Sequence, residues 1–344
     1  MMISAIVPCR NEVKEIRTFL DSALAQQLDG MDWEILVADG RSDDGTREAL
    51  EEYARAHGRI RIIDNRGKIV STGLNAAIRA SRGSIIVRLD AHTEYAPDYI
   101  RRCVEVLGIT GADNVGGPAR TRSNGLVGRA ISAAYHSRFA TGGARFHDDT
   151  FEGYVDTVTY GCWRKTTLQK LGLFDETFVR NQDDELNLRL VLSGGKIWQS
   201  PAIVSWYQPR GKLSALFQQY FQYGFWKVAV IRKHRTAASW RHLVPGGFVA
   251  GNMALLLIAV WASVFGAKWL AASAISVWEG FALLYVLLSL AASVNTARRS
   301  GWVMFPLLPM VYATYHLSYG LGFLAGLLRR PGDHSGGVFA VLTR

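Results

Sequence analysis

Short apolar runs alternate with amphipathic stretches along the first part of the chain. Ile3–Val7, Glu34–Ala38, Arg59–Ile63 and Ser84–Leu89 are apolar or nearly so and each ends at a polar or turn-forming residue, which predicts buried strands. Between them Val13, Ile16, Leu20 and Ala23 recur at helical spacing, and residues 45–56 and 71–81 suit helices. Pro97 is placed to open another helix running to Leu107. Strands alternating with helices predict an α/β domain with a mainly parallel sheet flanked by helices. Sheets of that kind bind ligands at the carboxyl ends of their strands.

The pattern changes after Val244. Three long apolar stretches follow, about 244–267, 269–294 and 302–328, each longer than the roughly 20 residues that cross a bilayer core. Pro306 and Pro309 leave the third open as a full crossing or a re-entrant hairpin. The expected organisation is a catalytic domain over 1–210, an amphipathic interfacial helix and basic linker over 211–242, about three membrane helices over 243–330, and a short tail over 331–344. Arg232, Lys233, His234, Arg235 and Arg241 precede the first stretch, and Arg298 and Arg299 precede the third, so the front domain is expected on the cytoplasmic side. Three crossings would leave Arg329 and Arg330 outside, against the same rule. The N-terminus has no basic region before its short apolar run and does not read as a signal peptide.

Composition narrows the classes. Of the 344 residues 49% are apolar, which excludes a disordered or collagen-like chain. Cys9, Cys103 and Cys162 stand far apart with no C-x-x-C spacing, which excludes a disulfide scaffold and a zinc ribbon. The net charge is +10, yet residues 1–242 hold 33 cations against 27 anions, so no basic stripe points to nucleic acid.

The chemistry-bearing residues sit where the strands end. Pro8-Cys9-Arg10-Asn11-Glu12 follows the first strand, Asp39-Gly40-Arg41-Ser42-Asp43-Asp44-Gly45-Thr46 the second, and Asp90-Ala91-His92 the fourth. Asp39 suits a turn cap or a carboxylate accepting from a base or ribose. Glu12 suits the start of the first helix or a ligand pocket. Asp90 and His92, two apart in extended chain, can face one side and suit a divalent cation or a simple turn. Asp183, Asp184 and Glu185 open a helix, as caps or with one carboxylate facing a cavity as general base. Gln219 and Tyr223, four apart in an aromatic helix with a basic end, share a face. The turn after the first strand lacks a glycine fingerprint, which argues against a dinucleotide dehydrogenase.

Taken in order, P-x-R-N-E, A-D-G-x-S-x-D-G-T, L-D-A-H, Q-D-D-E-L-N-L-R and Q-Y-F-Q-Y-G resemble the family-2 glycosyltransferases, inverting enzymes with the nucleotide-sugar-binding GT-A fold. The likeness covers roughly 3–227 and is greatest to bacterial succinoglycan-type exopolysaccharide enzymes. It implies that Pro8, Arg10, Glu12, Asp39 and Asp90 line the nucleotide-sugar pocket, and that Asp90 and His92 stand where the family holds Mn²⁺ or Mg²⁺. Asp183 matches the family's base, while Asp184, Gln219, Gln222 and Tyr223 fall on the acceptor and diphosphate side. Three departures stand out: His92 for a second Asp, Gln182 for Glu, and no Arg or Trp in the segment that processive members use to hold a growing chain. The last implies addition of one sugar.

The resemblance therefore implies a UDP-sugar donor, glucose or another hexose, and a lipid-linked acceptor on undecaprenyl diphosphate. The setting is capsule or exopolysaccharide assembly at the bacterial inner membrane, with other polysaccharide-assembly enzymes as potential partners. A polyprenyl-phosphate sugar synthase and a catalytically silent membrane scaffold are the alternatives.

Overall fold

The apolar run around Ile3–Val7 is buried on both faces, as a strand inside a parallel sheet must be. The computed structural model describes residues 1–28 and 30–328. They run β1 (Met2–Cys9), α1 (Ile16–Leu24), β2 (Asp32–Asp39), α2 (Thr46–Ala56), β3 (Ile60–Asp64), α3 (Val70–Ala80), β4 (Ile85–Arg88), β5 (Thr93–Tyr95) and α4 (Tyr99–Thr110). Next come β6 (Asn114–Gly117), β7 (Arg120–Thr121), α5 (Leu126–Tyr135), α6 (Arg138–Thr141), β8 (Gly153–Tyr154), β9 (Thr159–Arg164), α7 (Lys165–Lys170), α8 (Gln182–Leu192), β10 (Ile197–Gln199) and β11 (Ser205–Tyr207). Four long helices follow: α9 (Leu213–His234), α10 (Val244–Val264), α11 (Lys268–Ser300) and α12 (Leu308–Leu328).

The main sheet has the order β3-β2-β1-β4-β9-β6-β10-β8. The first four strands are mutually parallel, and β9 enters antiparallel between β4 and β6. The mainly parallel sheet expected is present, with antiparallel pairs confined to its second half, at β9 and β8. One face is covered by Ile16, Phe19 and Leu20 of α1 and Tyr99, Ile100 and Cys103 of α4. The other packs on Leu74, Ala77 and Ile78 of α3 and Leu186 and Leu190 of α8. β5, β11 and β7 form a second, three-stranded sheet.

Two boundaries differ from the sequence reading. β1 continues through Pro8 to Cys9. Ile6 O faces β4 and Cys9 O faces β2, so by the two-residue repeat Pro8 faces the β4 side, beyond β4's last paired residue. A proline there costs no ladder bond. α4 begins at Tyr99, not Pro97, whose carbonyl accepts from Gln27 N at 2.8 Å.

The contacts divide the chain into two units. The first holds residues 1–122 and 145–208, and the second holds 123–144 with the residues from Pro209 on. In the second unit α9 and α12 touch backbone to backbone: a Cβ at Gly322 would run into the Phe221 carbonyl, and one at Gly224 into that of Tyr319. Among the described residues two helices are long and apolar enough to cross a membrane, spanning Trp240–Val264 and Lys268–Ser300. Their apolar windows are only 17% and 11% buried. The third expected crossing is not among them. A 3₁₀ turn at Trp302–Met304 and Pro306 precede α12, which carries Tyr312, Thr314, His316 and Ser318 and packs along α9. Arg329, Arg330 and the 331–344 tail lie outside the described residues.

The amino-end side of the sheet is fastened by Glu34. Its carboxylate accepts from Ser4 Oγ (2.8 Å), Arg82 N (2.6 Å) and Arg61 Nη1 (2.7 Å). Burial alone would raise this carboxyl, but those three donors outweigh it and hold it below the usual glutamate range. A depressed folded-state value adds stability that is complete above the unfolded value and is lost as pH falls through the folded one. Glu34→Gln should therefore cost about 1–3 kcal/mol of unfolding free energy at pH 7. The gap to the parent protein should narrow as pH drops below about 4, read by denaturant titrations followed through tryptophan fluorescence.

Candidate functional site

Parallel pairing sets Cys9, Asp39 and Asp64 side by side, with Ile6 opposite Arg88, so β1 to β4 finish along one edge. The loops that leave this edge are tied to one another. Asn11 and Arg41 adopt left-handed backbone, with φ of 56° and 57°. That conformation suits Asn and turns each loop sharply. Asn11 donates from N to Ser42 Oγ (2.9 Å) and from Nδ2 to Asp43 Oδ1 (2.9 Å), and Asp43 N returns a bond to Asn11 Oδ1 (3.1 Å). Glu12 N donates to Thr46 Oγ1 (2.7 Å), whose own hydroxyl donates to Asp44 Oδ1 (2.5 Å). Desolvation raises the Asp44 carboxyl, but donors from Thr46 and Val13 hold it below the usual aspartate range. Gly40 leaves room for the Arg10 stem: a Cβ there would lie 3.1 Å from Arg10 Cβ.

Asp39 is 2% exposed and committed inside the protein. Its Oδ1 accepts from Ser42 N (3.2 Å) and Ser42 Oγ (2.6 Å), and Arg47 Nη1 stands 3.4 Å from Oδ2. The turn-cap role is therefore present. Arg10 makes no side-chain hydrogen bond or ion pair among the described residues. Pro8 is the second-last residue of β1, beside them.

After β4 the chain turns at Asp90. Asp90 Oδ1 accepts from His92 N (3.0 Å), and Asp90 N donates to Tyr95 Oη (2.7 Å). The His92 ring does not stand free beside Asp90. Its Nε2 meets both oxygens of the buried Glu12 carboxylate, at 2.9 and 2.8 Å. A carboxylate only accepts, so Nε2 carries the hydrogen in this contact. Thr93 Oγ1 and Tyr160 Oη are also hydrogen-bonded. Burial pushes the Tyr95 and Tyr160 phenols well above the usual tyrosine value, so both stay neutral.

Asp183 lies in the first turn of α8, its side chain half exposed. Its Oδ1 accepts from Asp184 N (2.9 Å), and its Oδ2 is 3.6 Å from Arg88 Nη1. Arg88 is two residues before Asp90 on the same strand end, which brings Asp183 to the edge that carries Asp39 and Asp90. Glu185, by contrast, is fully buried and paired with Arg189 at 2.8 Å.

Among the described residues no group of three or more His, Cys, Asp or Glu side chains could hold a metal ion. The protein alone therefore offers an incomplete shell. Asp90 fits a shared one, because Mg²⁺-type sites commonly take one or two carboxylates and complete the shell with water and substrate phosphates. His92 spends Nε2 on Glu12, which leaves Nδ1 as the ring nitrogen for any shell shared with Asp90.

Gln219, Gln222 and Tyr223 belong to α9 in the second unit. Both glutamines are buried, and Gln219 Nε2 donates to Tyr223 Oη at 3.0 Å, so the i, i+4 face exists. Sequence reading missed Arg88, Tyr95 and Tyr160. Arg88 had a signal, a cation closing the run Ile85-Ile86-Val87; Tyr160 had none, since β9 joins β4 from far along the chain.

Residues 4–164 match a family model described as Glycosyl transferase family 2. The chain is 29% identical over 325 residues to the succinoglycan biosynthesis protein ExoA of Rhizobium meliloti (strain 1021), covering 94% of each. It is 26% identical to the dolichyl N-acetyl-alpha-D-glucosaminyl phosphate 3-beta-D-2,3-diacetamido-2,3-dideoxy-beta-D-glucuronosyltransferase of Methanococcus voltae, over 95% of this chain and 97% of that one. Among solved structures, the mannosyltransferase PcManGT from Pyrobaculum calidifontis, in complex with GDP-Man and Mn²⁺, superposes with a TM-score of 0.56. That match has 20% identity and covers 92% of this chain and 86% of the other, a likeness of fold.

The loop ties can be tested apart from any activity. Thr46→Val leaves Glu12 N and Asp44 without the buried hydroxyl and should cost about 1–3 kcal/mol, whereas Thr46→Ser should recover most of it, both read by thermal melts.

Proposed function

We propose that the chain, whose residues 4–164 match the family 2 glycosyl transferase model on a GT-A-like fold, moves one sugar from a UDP-sugar to a lipid-linked glycan in exopolysaccharide assembly. The observation that carries the reading is the convergence of Arg10, Glu12, Asp39, Asp90 and Asp183 on one strand-end edge within one unit. The relatives support it by what their names say: one belongs to succinoglycan biosynthesis, and the other acts on a dolichyl-phosphate sugar.

In this reading Pro8, Arg10 and Glu12 line the nucleotide side. Asp39 holds the Ser42 turn that floors it. His92 acts there through Glu12, fixing that carboxylate to the segment after β4. Asp90 would hold a divalent cation together with donor phosphate oxygens, and the cation's chemistry is to offset charge on the departing diphosphate. The solved fold relative contains Mn²⁺ with its nucleotide sugar, in keeping with that assignment.

Asp183 is the base. Its half-exposed Oδ2 takes the proton of an acceptor hydroxyl. The freed oxygen attacks the anomeric carbon as the bond to the diphosphate breaks, and the electron pair leaves with the nucleoside diphosphate. Attack opposite the leaving group inverts the centre, so an α-linked donor gives a β-glycoside. Asp184 beside it is assigned to the acceptor and diphosphate side, while Gln219, Gln222 and Tyr223 belong to the second unit. Without the Arg and Trp that hold a growing chain, one sugar is added per encounter.

α10 and α11 are about 30 and 50 Å long at 1.5 Å per residue, enough to cross ~30 Å of hydrocarbon. As two crossings they would place Arg232–Arg241 and Arg298–Arg299 on one side, the cytoplasmic side by charge. A membrane-held enzyme shares a surface with a polyprenyl-linked acceptor, which raises the effective concentration of both.

The test is transfer in membranes carrying lipid-linked acceptors. Asp183→Asn should lower turnover by about a hundredfold or more while donor binding persists. Full activity in that variant would remove the base role and favour an acceptor that attacks through an already ionised phosphate.

A further inference from the structure

Arg88 is a buried cation without a hydrogen bond. Its residue is 6% exposed, and Nε and Nη1 are both sealed from solvent with no hydrogen-bond partner. The nearest anion, Asp183 Oδ2, is 3.6 Å from Nη1, beyond hydrogen-bonding length. The other neighbour is the Tyr160 ring, whose centroid lies 5.9 Å from the guanidinium carbon. Taking an ionised guanidinium out of water without partners is costly. Native proteins keep such a group where something else completes it.

Its position says what that is. Arg88 precedes Asp90 by two residues at the end of β4 and so faces the same side of the extended chain. The side chain meets Asp183 at that edge. A guanidinium is a planar fork of donors matched to a pair of anionic oxygens, above all those of phosphate. Tyr95 and Tyr160, held neutral by burial, wall the group without neutralising it.

We propose that Arg88 binds the diphosphate of the sugar donor, its two orphaned nitrogens, Nε and Nη1, donating to phosphate oxygens at the strand-end edge. This rests on the nucleotide-sugar reading above and names a donor-binding residue within it. It also gives a reason for the long Arg88–Asp183 distance: the cation is shared between the incoming diphosphate and the carboxylate that serves the acceptor.

The experiment titrates the full-length, detergent-solubilised chain with UDP, GDP and ADP and with the matching nucleosides, in EDTA so that no cation contributes. The parent protein should bind one diphosphate more tightly than its nucleoside. Arg88→Gln should weaken that diphosphate about tenfold to a hundredfold and leave the nucleoside unchanged. Arg88→Lys, which keeps the charge and loses the fork, should show a smaller loss, and it carries the comparison if the glutamine variant does not fold. If both variants keep the parent's ratio of diphosphate to nucleoside affinity, Arg88 only props Asp183 and the inference is overturned while the nucleotide reading stands. If the parent binds none of the three diphosphates in EDTA or with Mn²⁺ restored, the nucleotide reading falls and the inference with it.

Discussion

Lateral hydrogen bonding between loops that leave neighbouring parallel strands is the constraint on which the site depends. Parallel pairing alone sets Cys9, Asp39 and Asp64 in one row. It does not fix where the following side chains point. That is done by Asn11 reaching Ser42 and Asp43, and by Glu12 N reaching Thr46. These ties hold the β1 loop to the β2 loop, and the Glu12–His92 contact then holds the β1 loop to the segment after β4. Polar residues from three stretches thus occupy fixed places.

The charges on this edge fall into two kinds. Asp39, Asp44 and Glu12 are committed acceptors, and their work is to hold backbone and neighbouring side chains. Asp183, Arg10 and Arg88 are not committed in that way. Asp183 keeps one oxygen half exposed, and Arg88 keeps two buried donors open. A protein that only needed to fold would have paired the second set as closely as the first. An edge with rigid acceptors around loosely paired opposite charges is suited to a ligand that carries its own negative charge, with a carboxylate left to take a proton from a second reactant.

Much of the front fold was legible because burial on both faces demands apolar runs, and Ile3–Val7 and Glu34–Ala38 satisfy that demand on the page. β9 was not, since Thr159–Arg164 follows no crossover helix and mixes small, aromatic and charged residues. The return of residues 123–144 to the later helices was equally hidden, because nothing local marks a segment that packs with chain a hundred residues away. The third apolar stretch showed its length but not its packing: Gly322 and Gly326 bring α12 close against α9, a contact that nothing local marks. At the site the acids were readable, since strand ends are where they matter. Their partners were not. Glu12 and His92 were each named, yet their pairing spans 80 residues and depends on β1 and β4 being neighbours. Arg88 looked like the polar end of a strand, and only burial shows that its donors have no partner.

The account stands on one placement: a nucleotide sugar seated on the carboxyl-end edge of β1, β2 and β4. Hydrogen–deuterium exchange of the full-length protein, with and without the donor that supports turnover, reports that placement directly. Protection should appear in peptides covering residues 9–12, 39–46 and 88–93. Protection confined to peptides outside those three stretches would contradict it.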